Sequence, residues 1–99
     1  MSYRLTQAAE DDLVNIYLDS IRLFGRAQAE HYYAGLHATF DFLGQNPNAA
    51  RERRQIQPSA RMHPHKSHLV FYQLEDQGIL IIRIRHAHEN WMNDLEAGG

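Results

Sequence analysis

Seven side chains with chemistry to offer fall close together near the C-terminal end: Arg83, Arg85, His86, His88, Glu89, Asn90 and Trp91. A second group, Arg61, His63, His65, Lys66 and His68, lies earlier. Guanidinium forks bind carboxylates or phosphates in two-pronged fashion. Imidazole moves protons near neutral pH. Together these types can cut RNA through its 2′-hydroxyl, which takes a base, an acid and cations for the developing charge. Arg61, Arg83 and Arg85 would be the cations, and His86 or His88 the acid or base. One feature counts against that chemistry: the late aromatic is Trp91, whose indole donates a hydrogen bond but does not exchange its proton in acid–base catalysis. No residue is therefore assigned as catalytic.

Histidines also raise the question of a metal. His86 and His88 stand two apart, so on a strand they share a face and would chelate a divalent ion. No acidic or cysteine ligand accompanies them at a recognised spacing, and Pro64 interrupts the His63, His65, His68 group. Surface or hydrogen-bonded histidines explain the pattern better, so neither metal nor cofactor is expected. Two roles are open to Arg83 and Arg85: salt bridging to helix or tail carboxylates, or receiving carboxylates from a partner. Trp91 and Leu95, a helical turn apart, either cap the core or anchor an interface.

These residues need a support, and the sequence supplies one just before them. Gly78 opens the most apolar run in the chain, Ile79 to Ile84, which is β-branched and reads as a buried strand. Before it, His68 to Leu74 reads as a strong strand, with a hairpin turn over Glu75-Asp76-Gln77-Gly78. Ser59 to His63 reads as a modest strand, followed by a turn over Pro64-His65-Lys66-Ser67. Residues 48–58 have weak periodicity and many arginines, which predicts a loop or short helical turn.

The first half of the chain is helical in pattern. Tyr3-Arg4-Leu5 reads as a short strand and Thr6 as a helix N-cap, with Glu10, Asp11 and Asp12 near the positive end of the dipole. From about Gln7 to Phe24, one apolar stripe is Ala9, Leu13, Ile16 or Tyr17, Ser20 and Phe24. A second is Val14, Leu18 and Ile21, which either completes a wide buried arc or receives a partner. Gly25 ends this helix. The second runs from about Ala27 to Gly44 with Ala29, Tyr32 or Tyr33, Leu36, Phe40 and Leu43 as its stripe, and Asn46-Pro47 stops it. The short link makes the two an antiparallel hairpin. The order β-α-α-β-β-β predicts a two-layer α+β domain spanning residues 1–99, an antiparallel sheet covered on one face by the helical hairpin.

Composition narrows the class. Ninety-nine residues hold one core, and without cysteine there is no disulfide or thiolate chemistry. Met1 to Leu5 runs directly into patterned sequence, which predicts no secretory leader, and no run has the length of a membrane span. The expected location is the cytoplasm. The net charge of −2 divides unevenly: residues 1–50 carry an acidic excess, whereas residues 51–88 carry seven arginines and lysines against Glu52, Glu75 and Asp76. An overall acidic chain is poorly suited to nonspecific nucleic-acid binding.

Several landmarks together resemble the RelE/ParE superfamily of bacterial toxins, and within it the ParE branch, also called plasmid-stabilisation toxins. Ala9-x-x-Asp12-Leu13-x-x-Ile16-Tyr17 resembles the family's first helix, Phe24-Gly25-x-x-x-Ala29-x-x-Tyr32 its helix junction, and Leu43-x-x-Asn46-Pro47 the end of its second helix. His68-Leu69-Val70-Phe71-Tyr72 resembles the central strand. Ile82-Arg83-Ile84-Arg85-His86 with Glu89-Asn90-Trp91 resembles the last strand and its exit. Each motif is loose alone; their order covers nearly the whole chain. The resemblance implies a toxin of a type II toxin–antitoxin system that binds DNA gyrase and is neutralised by a ParD-like antitoxin, with DNA met only through those partners. The alternative it implies is a RelE-like ribosome-dependent mRNA endoribonuclease. On the first reading the antitoxin takes Val14, Leu18, Ile21, Arg61, Arg83 and Arg85, and His86, His88, Asn90 and Trp91 form the rim that meets the target.

Overall fold

The computed structural model describes residues 2–53 and 59–87. His88, Asn90 and Trp91, and the helical turn expected over 90–95, lie outside the described residues. The elements are β1 (Ser2–Leu5), α1 (Gln7–Phe24), α2 (Arg26–Gln45), β2 (Glu52–Arg53), β3 (Ala60–His65), β4 (His68–Glu75) and β5 (Gly78–His86). The α+β class and the expected order hold, with the two-residue β2 added where a loop or helical turn was expected. The sheet order is β1-β5-β4-β3-β2. β2 through β5 pair antiparallel, while β1 lies parallel to β5, so the sheet is mixed. A strand that is followed by a helical hairpin before the meander begins can return to the last strand in parallel, because the crossover is long enough.

β3 runs two residues further than expected and includes Pro64 and His65, leaving Lys66-Ser67 as the tight turn. β2 reaches only Arg61 and Ala60. Among the described residues the outer edge at Pro64 therefore has no strand to bond, and a residue without an N–H fits there.

Glycine is required at two points. Gly25 joins the helices at φ +88, a left-handed region open to Gly and strained for other residues. Gly78 starts β5 at φ +151, with an added Cβ only 1.9 Å from the Ser2 carbonyl oxygen. The strand on which the sheet is built thus begins in contact with β1.

The main core lies between the sheet and the hairpin. It comprises Ala9, Leu13, Leu36, Phe40, Leu43, Ala50, Val70, Tyr72, Ile79, Ile81 and Ile84, with Tyr3, Leu5, Ile16 and Tyr32 at its margin. A smaller cluster on the opposite face joins Phe71 to Met62, Leu69 and Ile82. The register shifts between Phe71 and Tyr72, which face Arg83 and Ile81 respectively. This irregularity changes the alternation on β5: Ile79, Ile81 and Ile84 all enter the main core, and Ile82 goes to the other face. Tyr72 is fully buried; its hydroxyl donates to the Pro47 carbonyl (2.9 Å) and accepts from the Ala50 amide (3.3 Å), fastening the stretch after α2 to the sheet.

β1 covers β5 only from Gly78 to Ile81. Beyond that, α1 supplies the partners. The Thr6 amide donates to the Ile81 carbonyl (3.0 Å) and its hydroxyl donates to the Ile82 carbonyl (2.9 Å), while the same oxygen accepts from the Ala9 amide as the helix cap. One turn on, the Asp12 carboxylate accepts from the Ile84 amide (2.9 Å) and from Arg83 through Nε (2.8 Å) and a terminal nitrogen (3.1 Å). With the Asp12 side chain 12% exposed, these charge-assisted bonds work away from most of the solvent. Asp12→Ala is expected to cost about 2–3 kcal/mol, because it strands a half-buried guanidinium and a strand amide. Asp12→Asn, which keeps an acceptor, should cost less. Urea unfolding measures both, and a loss below about 0.5 kcal/mol for Asp12→Ala would show the edge to be held by other contacts.

Candidate functional site

α1 has more apolar surface than one sheet can cover. Ala9 and Leu13 point into the core and Ile16 packs at its margin. Val14 and Leu18, about 100° around the helix, remain outside, each 55% exposed. They line an open groove of about 340 Å³ between the hairpin's two helices, together with Tyr17, Glu30 and Tyr33. A second depression of about 370 Å³ shares Val14 and Tyr33 and continues toward Leu5, Gln7, Glu10, Asp11 and His37. The outer face of the hairpin thus carries a continuous channel with an apolar floor and carboxylates at its sides. Its floor is stiffened by aromatic contacts: Tyr17 meets Tyr33 edge-on at 5.5 Å between centroids, and Tyr33 meets His37 at 4.7 Å. His37 is fixed in turn by the Tyr3 hydroxyl, 2.8 Å from Nδ1.

The expected site residues separate. Val14 and Leu18 share the groove. Ile21, expected with them, is half-buried and does not line it. Arg61 on β3 donates to the Ala50 carbonyl (2.6 Å). Arg83, two strands away on β5, is forked onto Asp12, which is the salt-bridging role open to it in the sequence. Arg85 stands opposite Leu69 in the sheet and is half-buried. His86 is opposite His68, with the two rings edge-to-face at 5.4 Å.

The three histidines around Pro64 diverge. His63 lies near the Phe42 ring, His65 Nδ1 bonds the Thr39 hydroxyl (2.8 Å), and His68 Nδ1 bonds the Tyr32 hydroxyl (2.7 Å). Among the described residues no three or more His, Cys, Asp or Glu side chains are grouped to hold a metal ion. Nor is any helix there long and apolar enough to cross a membrane.

Sequence reasoning missed Tyr33 and Glu30 as groove residues, and placed Phe24 in the buried stripe where it is 68% exposed. Spacing does not separate Tyr32 from Tyr33, since both fit between Ala29 and Leu36 at three or four residues. Phe24 follows the helical period, but α1 is ending there, at the Gly25 link.

A family model described as the ParE toxin of a type II toxin–antitoxin system, parDE, matches residues 3–91. The chain belongs to the ParE toxin family. Among its relatives is Toxin ParE1 of Caulobacter vibrioides, 31% identical over 88 residues that cover 89% of this chain and 91% of that protein. Toxin ParE1 of Mycobacterium tuberculosis is also 31% identical, over 85 residues covering 85% and 87%. A solved structure titled the chromosomal ParDE TA system from P. aeruginosa superposes with a TM-score of 0.76 at 23% identity, covering 89% of this chain and 97% of that one. This ParE toxin is therefore a toxin of a ParDE type II system, with the fold of that neighbour.

Two histidines of the toxin give it an acid-sensitive side. Burial holds His65 below its ordinary value, helped by nearby Lys66 and His63, and burial also lowers His63. The unfolded chain therefore takes up these protons at a higher pH than the folded chain. The stability that these two neutral imidazoles contribute is in full above about pH 6.5, their unfolded value, and is lost as the pH falls from there through the lower folded-state values. The melting temperature is expected to fall between pH 7 and pH 5, and the His63→Gln, His65→Gln double variant should shrink that fall. An undiminished fall in the double variant would assign the effect to other groups.

Proposed function

We propose that the chain is a non-enzymatic cytoplasmic toxin that acts by binding DNA gyrase and is neutralised by a ParD-like antitoxin. The observation that carries the antitoxin half is the groove on the hairpin. Val14, Leu18 and Tyr33 form an apolar strip that the fold leaves open, flanked by Glu10, Asp11 and Glu30. Such a channel suits an amphipathic segment laid lengthwise. Its chemistry asks for apolar anchors at helical spacing with Lys or Arg on either side. A segment disordered when alone meets this by folding as it binds. Ile21, Arg61, Arg83 and Arg85 do not line the channel, and the reading keeps them as further antitoxin contacts beside it. For the target the reading keeps the end of β5, with His86 and the residues after it, His88, Asn90 and Trp91.

The nuclease alternative asks for cations, an acid and a base around one phosphate. Arg61 and Arg83 are two strands apart, each engaged within the chain, by the Ala50 carbonyl and by Asp12. This weighs toward a protein-binding toxin.

Two measurements test the proposal. Leu18→Glu should weaken antitoxin binding at least about tenfold by calorimetry, as loss of an interface anchor does, with the melting temperature unchanged because the side chain is already exposed. Unaltered affinity would move the antitoxin elsewhere. Purified toxin in excess should inhibit supercoiling by gyrase and accumulate cleaved DNA. Full supercoiling with codon-positioned cuts in mRNA after induction would replace gyrase inhibition by the nuclease reading.

A further inference from the structure

A third depression shares no lining residue with the other two and lies at the tip of the helical hairpin. It holds about 280 Å³ between the helix junction and the β3–β4 turn, lined by Ser20, Phe24, Gln28, Tyr32, Lys66, Ser67 and His68. None of these seven is acidic, in contrast to the groove at Val14 and Leu18 with its neighbouring carboxylates. The pocket joins two kinds of surface. On the helical side stand Phe24, the last residue of α1 with its aromatic ring 68% exposed, and the Gln28 amide in the first turn of α2, across the Gly25 junction. On the turn side are the Lys66 ammonium, the Ser67 hydroxyl and the His68 imidazole.

The turn side is well fixed. Lys66 sits at φ +54, the left-handed geometry that a tight two-residue turn demands. Its ammonium lies over the Tyr32 ring, 5.7 Å from the centroid. His68 Nδ1 is 2.7 Å from the Tyr32 hydroxyl, and that hydroxyl also donates to the His65 carbonyl (3.3 Å). The cation and the imidazole are thus positioned by one tyrosine that belongs partly to the core.

We propose that this pocket binds a nucleotide, with the base stacked on Phe24 and its edge read by Gln28, and the phosphate held by Lys66, Ser67 and His68. Base–aromatic stacking beside a cation is the usual way of holding an unpaired nucleotide, and it tolerates different bases because each has a π-face. A cation beside a hydroxyl donor suits phosphate, and the imidazolium form of His68 adds a further donor through Nε2, its Nδ1–H being directed at Tyr32. The volume is near the lower end of small-ligand sites, roughly 300–1,000 Å³, and admits one nucleotide rather than a folded partner. The pocket shares no lining residue with the groove assigned to the antitoxin, so its occupancy does not depend on that assignment.

The test is titration of the whole toxin, observed through backbone amide NMR shifts, with AMP, adenosine, inorganic phosphate and a 5′-phosphorylated trinucleotide. AMP should bind at least tenfold more tightly than adenosine or phosphate and move amides of residues 20–32 and 66–68. Tighter binding of the trinucleotide at the same amides assigns the nucleotide to a single strand; equal or weaker binding assigns it to a free mononucleotide. Phe24→Ser, at a site already exposed, and Lys66→Asn, a residue that accepts the left-handed turn, should each lower AMP affinity about tenfold or more. No shifts at these amides with any nucleotide, AMP no tighter than phosphate, or affinity unchanged in both variants would overturn the proposal.

Discussion

The far half of β5 has no strand on its outer side among the described residues, and the fold depends on what replaces one. β1 stops at Leu5, opposite Ile81. From there Thr6 and Asp12 of the first helix take over, satisfying the Ile81 and Ile82 carbonyls and the Ile84 amide in turn. An unpaired sheet edge leaves backbone groups that cost free energy when buried and that invite other strands when exposed. Here the helix start is spliced into the ladder. Two consequences follow. α1 is fixed in angle and depth on the sheet, and Arg83 is drawn inward as the counter-ion of Asp12.

With α1 fixed in that way, its other apolar side has nothing to bury against. The helix meets the sheet through Ala9 and Leu13 and meets α2 through the hairpin, and Val14 and Leu18 lie outside both contacts. Exposed apolar side chains grouped in a channel, flanked by carboxylates and floored by aromatic rings, fit the docking role proposed for them. The constraint that closes the sheet edge is therefore also the one that leaves this groove open. The same rigidity serves the tip, where Tyr32 reaches from α2 to organise Lys66 and His68 across the β3–β4 turn.

Much of this was legible in the residues. The hairpin helices, Gly25 between them, Thr6 as a cap and the three-strand meander follow from period and from turn chemistry. Val14 and Leu18 were legible as an apolar stripe, but not whether that stripe would be covered, because coverage depends on how wide the sheet beneath the helix is. The rim was less legible. Arg61, Arg83 and Arg85 looked alike in sequence, whereas the fold gives Arg61 a backbone carbonyl and Arg83 a helix carboxylate, since each emerges on a different strand with a different neighbour. His63, His65 and His68 are close along the chain and go to Phe42, Thr39 and Tyr32, because His63 and His65 stand at successive same-face positions of β3 while the Lys66-Ser67 turn puts His68 on β4.

The sequence by itself determined the two helices, the main strands and their order, the helix cap and junction, and most of the stripe that faces the core, because these depend on local backbone preference and on the period of apolar side chains. Through the order of its loose motifs it also pointed to the ParE family. Only the tertiary structure decided that β1 returns to β5 in parallel, that a bulge between Phe71 and Tyr72 lets Ile81 and Ile84 share one face, and that Tyr32 turns inward while Tyr33 turns out. It alone showed the stretch from Gly78 to His86 to be a strand held along its open edge by Asp12. Each of these is a choice between residues or registers that local rules treat as equal, and the choice is made by which element reaches across from far along the chain.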